Sequence, residues 1–114
     1  MYSRNRTVNI SNYGGERMSR IAVVARFKVK SEPVDYVREQ FLSLVAPTLN
    51  YDDGCINYDL YQDNDDPSLF YFLENWESRE LLDKHSGSDH VQACRKNIDG
   101  MIEDGQINIL TKIS

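Results

Sequence analysis

The chain has 114 residues and a mass of 13.2 kDa, the size of a single domain, which argues for one compact unit. Hydrophobic residues at 40%, charged residues at 27% and a mean hydropathy of −0.57, with no long uncharged apolar run, exclude a membrane-spanning helix. Thirteen Lys and Arg against eighteen Asp and Glu give a net charge of −5 without a basic cluster, so neither nucleic acid nor a membrane is expected as a partner.

Met1 to Arg17 has no apolar segment of a secretory signal and no amphipathic Arg-rich period. Its Asn, Ser, Gly and Arg content reads as a tail or leader over residues 1–18, with Met18 directly ahead of the domain that fills 19–114. The β-branched run from Arg20 to Val29 predicts a first strand. Ser31 is placed to cap a helix opened by Glu32 and Pro33, and Val34, Val37, Phe41, Leu44 and Val45 recur on one helical face to about Leu49. Pro47 is expected to kink or end that helix, leaving Asn50 to Gly54 as a loop.

Cys55 to Gln62 alternates, with Ile56, Tyr58 and Leu60 on one side; Asn64 to Pro67 makes a turn, and Ser68 to Trp76 completes a hairpin. Ser78 starts a short helix that Gly87 interrupts, and Ser88 or Asp89 caps another carrying Val91, Cys94, Ile98, Met101 and Ile102. Gly105 is expected to end it, with Ile107 to the terminus as a last strand. The order βαββαβ predicts a ferredoxin-like α+β fold: a four-stranded antiparallel sheet with helices on one face. Cys55 and Cys94 are too few for a disulfide framework and read as reduced thiols of a cytoplasmic protein.

The predicted third strand puts Phe70, Phe72 and Trp76 on one face and Tyr71 and Leu73 on the other, while the first strand is apolar on both. Helices cover only one face. The other is expected to pack against a second copy, sheet on sheet, as a two-fold homodimer.

Asp53-Gly54-Cys55 leading to Tyr58-Asp59-Leu60, then Asp66-Pro67, Phe72-Leu73-Glu74-Asn75-Trp76-Glu77-Ser78, His85 and Ser88-Asp89-His90 resemble the antibiotic biosynthesis monooxygenase domain, including its quinol monooxygenase members. The resemblance runs from about Ser19 to Ser114 and implies a dimeric α+β barrel with a pocket between sheet and helices. It also implies oxygenation of polycyclic phenols or quinols without metal, flavin or haem. The resemblance also implies a fold that hosts haem-degrading oxygenases, an isomerase of a phosphorylated signalling sugar and many proteins of unknown activity. The haem-degrading branch matches poorly, since its strand-one Asn falls at Ala25, its helix Trp at His85 and its haem ligand near Arg95; haem is not expected.

Oxygenation without a cofactor needs a base that makes the substrate an electron-rich anion. His85 and His90, the only histidines, are the candidate catalytic residues, because an imidazole of pKa about 6.5 exchanges protons readily at neutral pH. A structural or solvent-facing histidine is the plain alternative for each. Trp76 and Phe72 are candidate walls for a flat aromatic substrate, with a plain core aromatic the alternative for Trp76; Tyr58 is a candidate hydroxyl donor or a cross-strand packing residue, and Arg26 a candidate contact for an anionic substrate or for Glu74. An ion pair is expected for Glu74. His90 and Cys94 are four apart with His85 nearby, yet Cys94 falls on the apolar stripe, so no metal is expected. Asp63, Asp65 and Asp66 lack the glycine and closing Glu of a calcium loop and read as a solvated turn. The expected activity is a cytoplasmic, cofactor-independent monooxygenation of a small aromatic quinol or polyketide-like phenol with dioxygen; the rivals are an isomerase and a non-catalytic small-molecule binder.

Overall fold

Alternating burial along Ile21–Val29 makes this segment β1, the strand that joins both halves of a four-stranded antiparallel sheet in the computed structural model, which describes residues 19–114. The reading of residues 1–18 as a tail lies outside the described residues. After β1 come α1 (Val34–Leu42), α2 (Val45–Tyr51), β2 (Cys55–Gln62), β3 (Leu69–Trp76), α3 (Arg79–Ser86), α4 (Asp89–Asn97) and β4 (Ile102–Thr111). The sheet order β2-β3-β1-β4 is the ferredoxin-like arrangement the sequence predicts. No helix among the described residues is long and apolar enough to cross a membrane.

Strand register decides which side chains reach the helices. Ile21, Val23, Ala25 and Phe27 pair with Trp76, Glu74, Phe72 and Phe70, so these eight share the inner face. There Phe41 from α1 packs on Phe27, Phe70 and Phe72, with ring centroids 5.2–5.6 Å apart. The outer face carries Val24, Arg26, Tyr71 and Leu73.

Three local expectations are corrected. The first helix breaks at Ser43 and Leu44, not at Pro47: the Ser43 hydroxyl donates to the Gln40 carbonyl and Leu44 N–H bonds Phe41, tightening the last turn of α1. Pro47 falls in the first turn of α2, where backbone N–H groups have no helical partner to lose, so α2 continues to Tyr51. Ser31 makes no cap; Pro33 holds that position, and its carbonyl accepts from Val37 N–H.

At the other end, α4 stops at Asn97, Gly100 turns the chain at φ +80°, and Ile102 already belongs to β4. Gly105 lies inside that strand, opposite Phe27, where a Cβ would sit 3.2 Å from the Phe27 ring. Along β2 a bulge between Cys55 and Asn57 removes Ile56 from the face of Tyr58 and leaves it exposed. The predicted serine caps form: Ser78 accepts from Leu81 N–H and Ser88 from Val91 N–H.

Candidate active site

A cavity of about 330 Å³ lies between the inner sheet face and α1, α3 and α4. Its walls are mostly apolar: Val23, Ala25, Phe27, Phe72, Leu82 and Val91, with Tyr58, Glu74 and His85 as polar groups. Arg79, Asp83 and Arg95 stand exposed at its rim. Ile107 and Ile109 of β4 line it as well, yet are 56% and 39% exposed, so the cavity is open on that side.

His85 sits in the last turn of α3, buried, with its ring 4.7 Å from Trp76 and 5.3 Å from Tyr58. Its Nδ1 lies 2.5 Å from Asp52 Oδ2, and the same oxygen lies 2.8 Å from His90 Nε2. A carboxylate only accepts, so both bonds place their protons on the rings and leave the His85 Nε2 lone pair free. Among the described residues Nε2 has no hydrogen-bond partner, and Thr48 Oγ1 is the buried side-chain polar atom that lacks one; Nε2 therefore meets accessible space. Burial pushes the His85 imidazole below its ordinary range, against the opposite pull of Asp52, which keeps it a neutral base at neutral pH.

Asp52 escaped the sequence reading because it falls in the turn after α2, where Asp52-Asp53-Gly54 reads as ordinary loop. Gly54 fixes that turn against α3. It adopts φ +80°, and a Cβ there would lie 2.3 Å from Leu81 Cδ1. His90 follows Ser88, whose hydroxyl is 3.2 Å from His90 Nε2; the ring is half-buried and does not line the cavity.

Glu74 is the second buried titratable group of the cavity. Its Oε1 accepts from Trp76 Nε1–H at 2.8 Å, and burial raises its carboxyl from 4.5 to about 7, the indole bond opposing the rise. Tyr58, its cross-strand partner, is raised by burial and then by Glu74, and stays a neutral donor. Burial likewise raises the Cys94 thiol.

Of the residues singled out from sequence, His85, Tyr58 and Phe72 come together around this space. Two candidate substrate contacts lie away from this space, Trp76 in the core position given as its alternative. Trp76 is fully buried behind His85 and Glu74 and does not reach the cavity, because it closes the core where β3 meets α3. Arg26 alternates onto the outer face and pairs with Asp104 at 3.2 Å; it meets neither the cavity nor Glu74. The expected ion pair for Glu74 is replaced by the indole bond.

The chain matches the family model described as antibiotic biosynthesis monooxygenase over residues 20–97. Rv0793 of Mycobacterium tuberculosis, which carries a provisional monooxygenase name, is 36% identical over 80 residues, 70% of this chain and 77% of that protein. The solved structure of Rv0793 superposes with a TM-score of 0.77 and 29% identity, covering 84% of this chain and 97% of that one. A conserved protein from Methanosarcina mazei gives 0.76 and 32%, covering 89% and 100%. With a matching sequence model, a related sequence and the same ferredoxin-like architecture all in agreement, the chain belongs to the antibiotic biosynthesis monooxygenase family.

Proposed function

We propose that this protein is a monooxygenase needing no metal, flavin or haem, which oxidises a small aromatic quinol or phenol with dioxygen. The supporting observation is the free Nε2 of His85 on a ring that lines an aromatic-walled cavity, its Nδ1–H held by Asp52. His85 takes the phenolic proton, and the electron-rich anion reduces dioxygen. Carbon–oxygen bond formation and loss of water then convert a phenol and O₂ into a quinone and H₂O. Tyr58, and Glu74 in the protonated form that its raised pKa of about 7 keeps populated near neutral pH, donate to the developing oxygen anion and to the departing hydroxide. Asp52 and His90 position His85 and do not touch the substrate.

The protein acts as a homodimer in this reading. Leu73, Tyr61 and Leu110 are exposed on the outer side of the sheet, and β4 is an edge strand uncovered along most of its length, both of which call for a second copy. A cytoplasmic setting accords with two free thiols.

The test is dioxygen uptake against a panel of quinols and polycyclic phenols, corrected for autoxidation, with His85→Ala and Asp52→Asn beside the parent. Uptake abolished by the first and reduced by the second supports the reading. Proton exchange or isomerisation without oxygen consumption would instead favour an isomerase, which His85 and Glu74, both lining the cavity, would also serve. Saturable binding without turnover would make it a carrier. A sedimentation mass of one chain, 13.2 kDa, at micromolar concentration would refute the dimer.

A further inference from the structure

We propose that Asp52, His85 and His90 form a binding site for a divalent transition cation of the zinc class, and that its occupation disables His85 as a base. One ligand atom from each residue, the Asp52 carboxylate oxygen, His85 Nδ1 and His90 Nε2, lies within 4.8 Å of the others. Three separate segments deliver them: the turn after α2, the end of α3 and the start of α4. Two imidazoles and a carboxylate are a common donor set for zinc, and tetrahedral bonds of about 2.0–2.1 Å put ligand atoms roughly 3.4 Å apart. On coordination the two contacts of 2.5 and 2.8 Å to Asp52 widen by less than about 1 Å, and the two histidine nitrogens, within 4.8 Å of each other, settle at the same spacing.

A surface depression separate from the cavity is lined by Asp52 and His85, two of the three ligands, together with Asp53, Lys84, Ser88 and Asp89, and gives a cation a route to them from solvent. A water would complete a four-coordinate site. Coordination through Nδ1 moves the His85 proton to Nε2, and that of His90 to Nδ1, with no net proton change. Nε2, the ring nitrogen that Asp52 leaves free, then carries a hydrogen and has no lone pair to accept a proton. This consequence for activity rests on the proposed role of His85; the binding itself does not.

The two site histidines are the only ones in the chain, so untagged protein reports on this site alone among imidazoles. The experiment is Zn²⁺ titration against a chromophoric chelator, with Co²⁺ absorption as the spectroscopic record, on parent, His90→Ala, Asp52→Asn and Cys94→Ser proteins whose folding is verified by circular dichroism. One Zn²⁺ per chain, held at least about 10-fold less tightly by His90→Ala and by Asp52→Asn and equally by Cys94→Ser, is the expected result. Absence of saturable uptake, or uptake unaffected by Asp52→Asn, which preserves size, would overturn the site. Binding that tracks Asp52 and His90 without slowing dioxygen uptake would retain the site and refute the basic role of His85.

Discussion

Glu74→Gln removes one titration while preserving the shape of the side chain and an oxygen to accept the Trp76 indole hydrogen. Folding raises this carboxyl from 4.5 to about 7. Linkage converts the difference into about 3 kcal/mol. The folded state holds the proton more tightly than the unfolded chain, so the contribution is complete below pH 4.5, declines as pH rises towards about 7, and is gone above it. Its titratable neighbours do not obscure this window, because Cys55 is pushed up to about 11 and Tyr58 is raised further still, each mainly by burial. His85, on the facing helix, enters both curves alike and cancels in the difference. Urea unfolding at fixed protein concentration, followed by far-ultraviolet circular dichroism from pH 4 to pH 8.5, gives the measurement. The parent should lose about 3 kcal/mol relative to Glu74→Gln across the window. A difference that stays flat with pH would refute the account of Glu74 as a buried, protonated carboxyl.

Trp76→Phe keeps an aromatic body but removes the indole donor, which favours the charged carboxylate, so a carbon-13 titration of Glu74 should show its pKa rising further. Gly54→Ala places a methyl against Leu81 at a left-handed backbone position and should cost about 1–3 kcal/mol in urea unfolding. Ser88→Ala loses the cap of α4 and should cost about 0.5–2 kcal/mol in the same assay. Arg26→Ala breaks a solvent-screened pair with Asp104 and should change stability by less than about 1 kcal/mol.

Element types and order were legible because each strand carries its own period and α3 and α4 each follow a serine cap. The hairpin needed little beyond alternation: Phe70, Phe72, Glu74 and Trp76 share a buried face as their spacing requires. Boundaries were harder where two signals competed. Pro47 looked like a terminator because the break at Ser43, set by side-chain and 3₁₀-type bonds, carries no strong sequence mark. Gly105 looked like a helix stop, whereas it makes room for a ring on a neighbouring strand. The chemistry around His85 was half legible. Histidines stand out by type, but Asp52 lies 33 and 38 residues from its two partners, and only tertiary folding brings them together. For Trp76 and Arg26 residue chemistry alone leaves ligand contact and structural roles open, and only burial in the core and strand alternation fix where each side chain lies.

The open flank beside Ile107 and Ile109 makes the cavity three-walled, with its hydration set partly by whatever covers β4. Binding in the cavity and coverage of that strand are then linked equilibria, and each must strengthen the other by the same factor if the cover excludes water from the ligand. If the cover is a second chain, apparent ligand affinity rises with protein concentration until the dimer is saturated. Dilution would empty the cavity as surely as competition does.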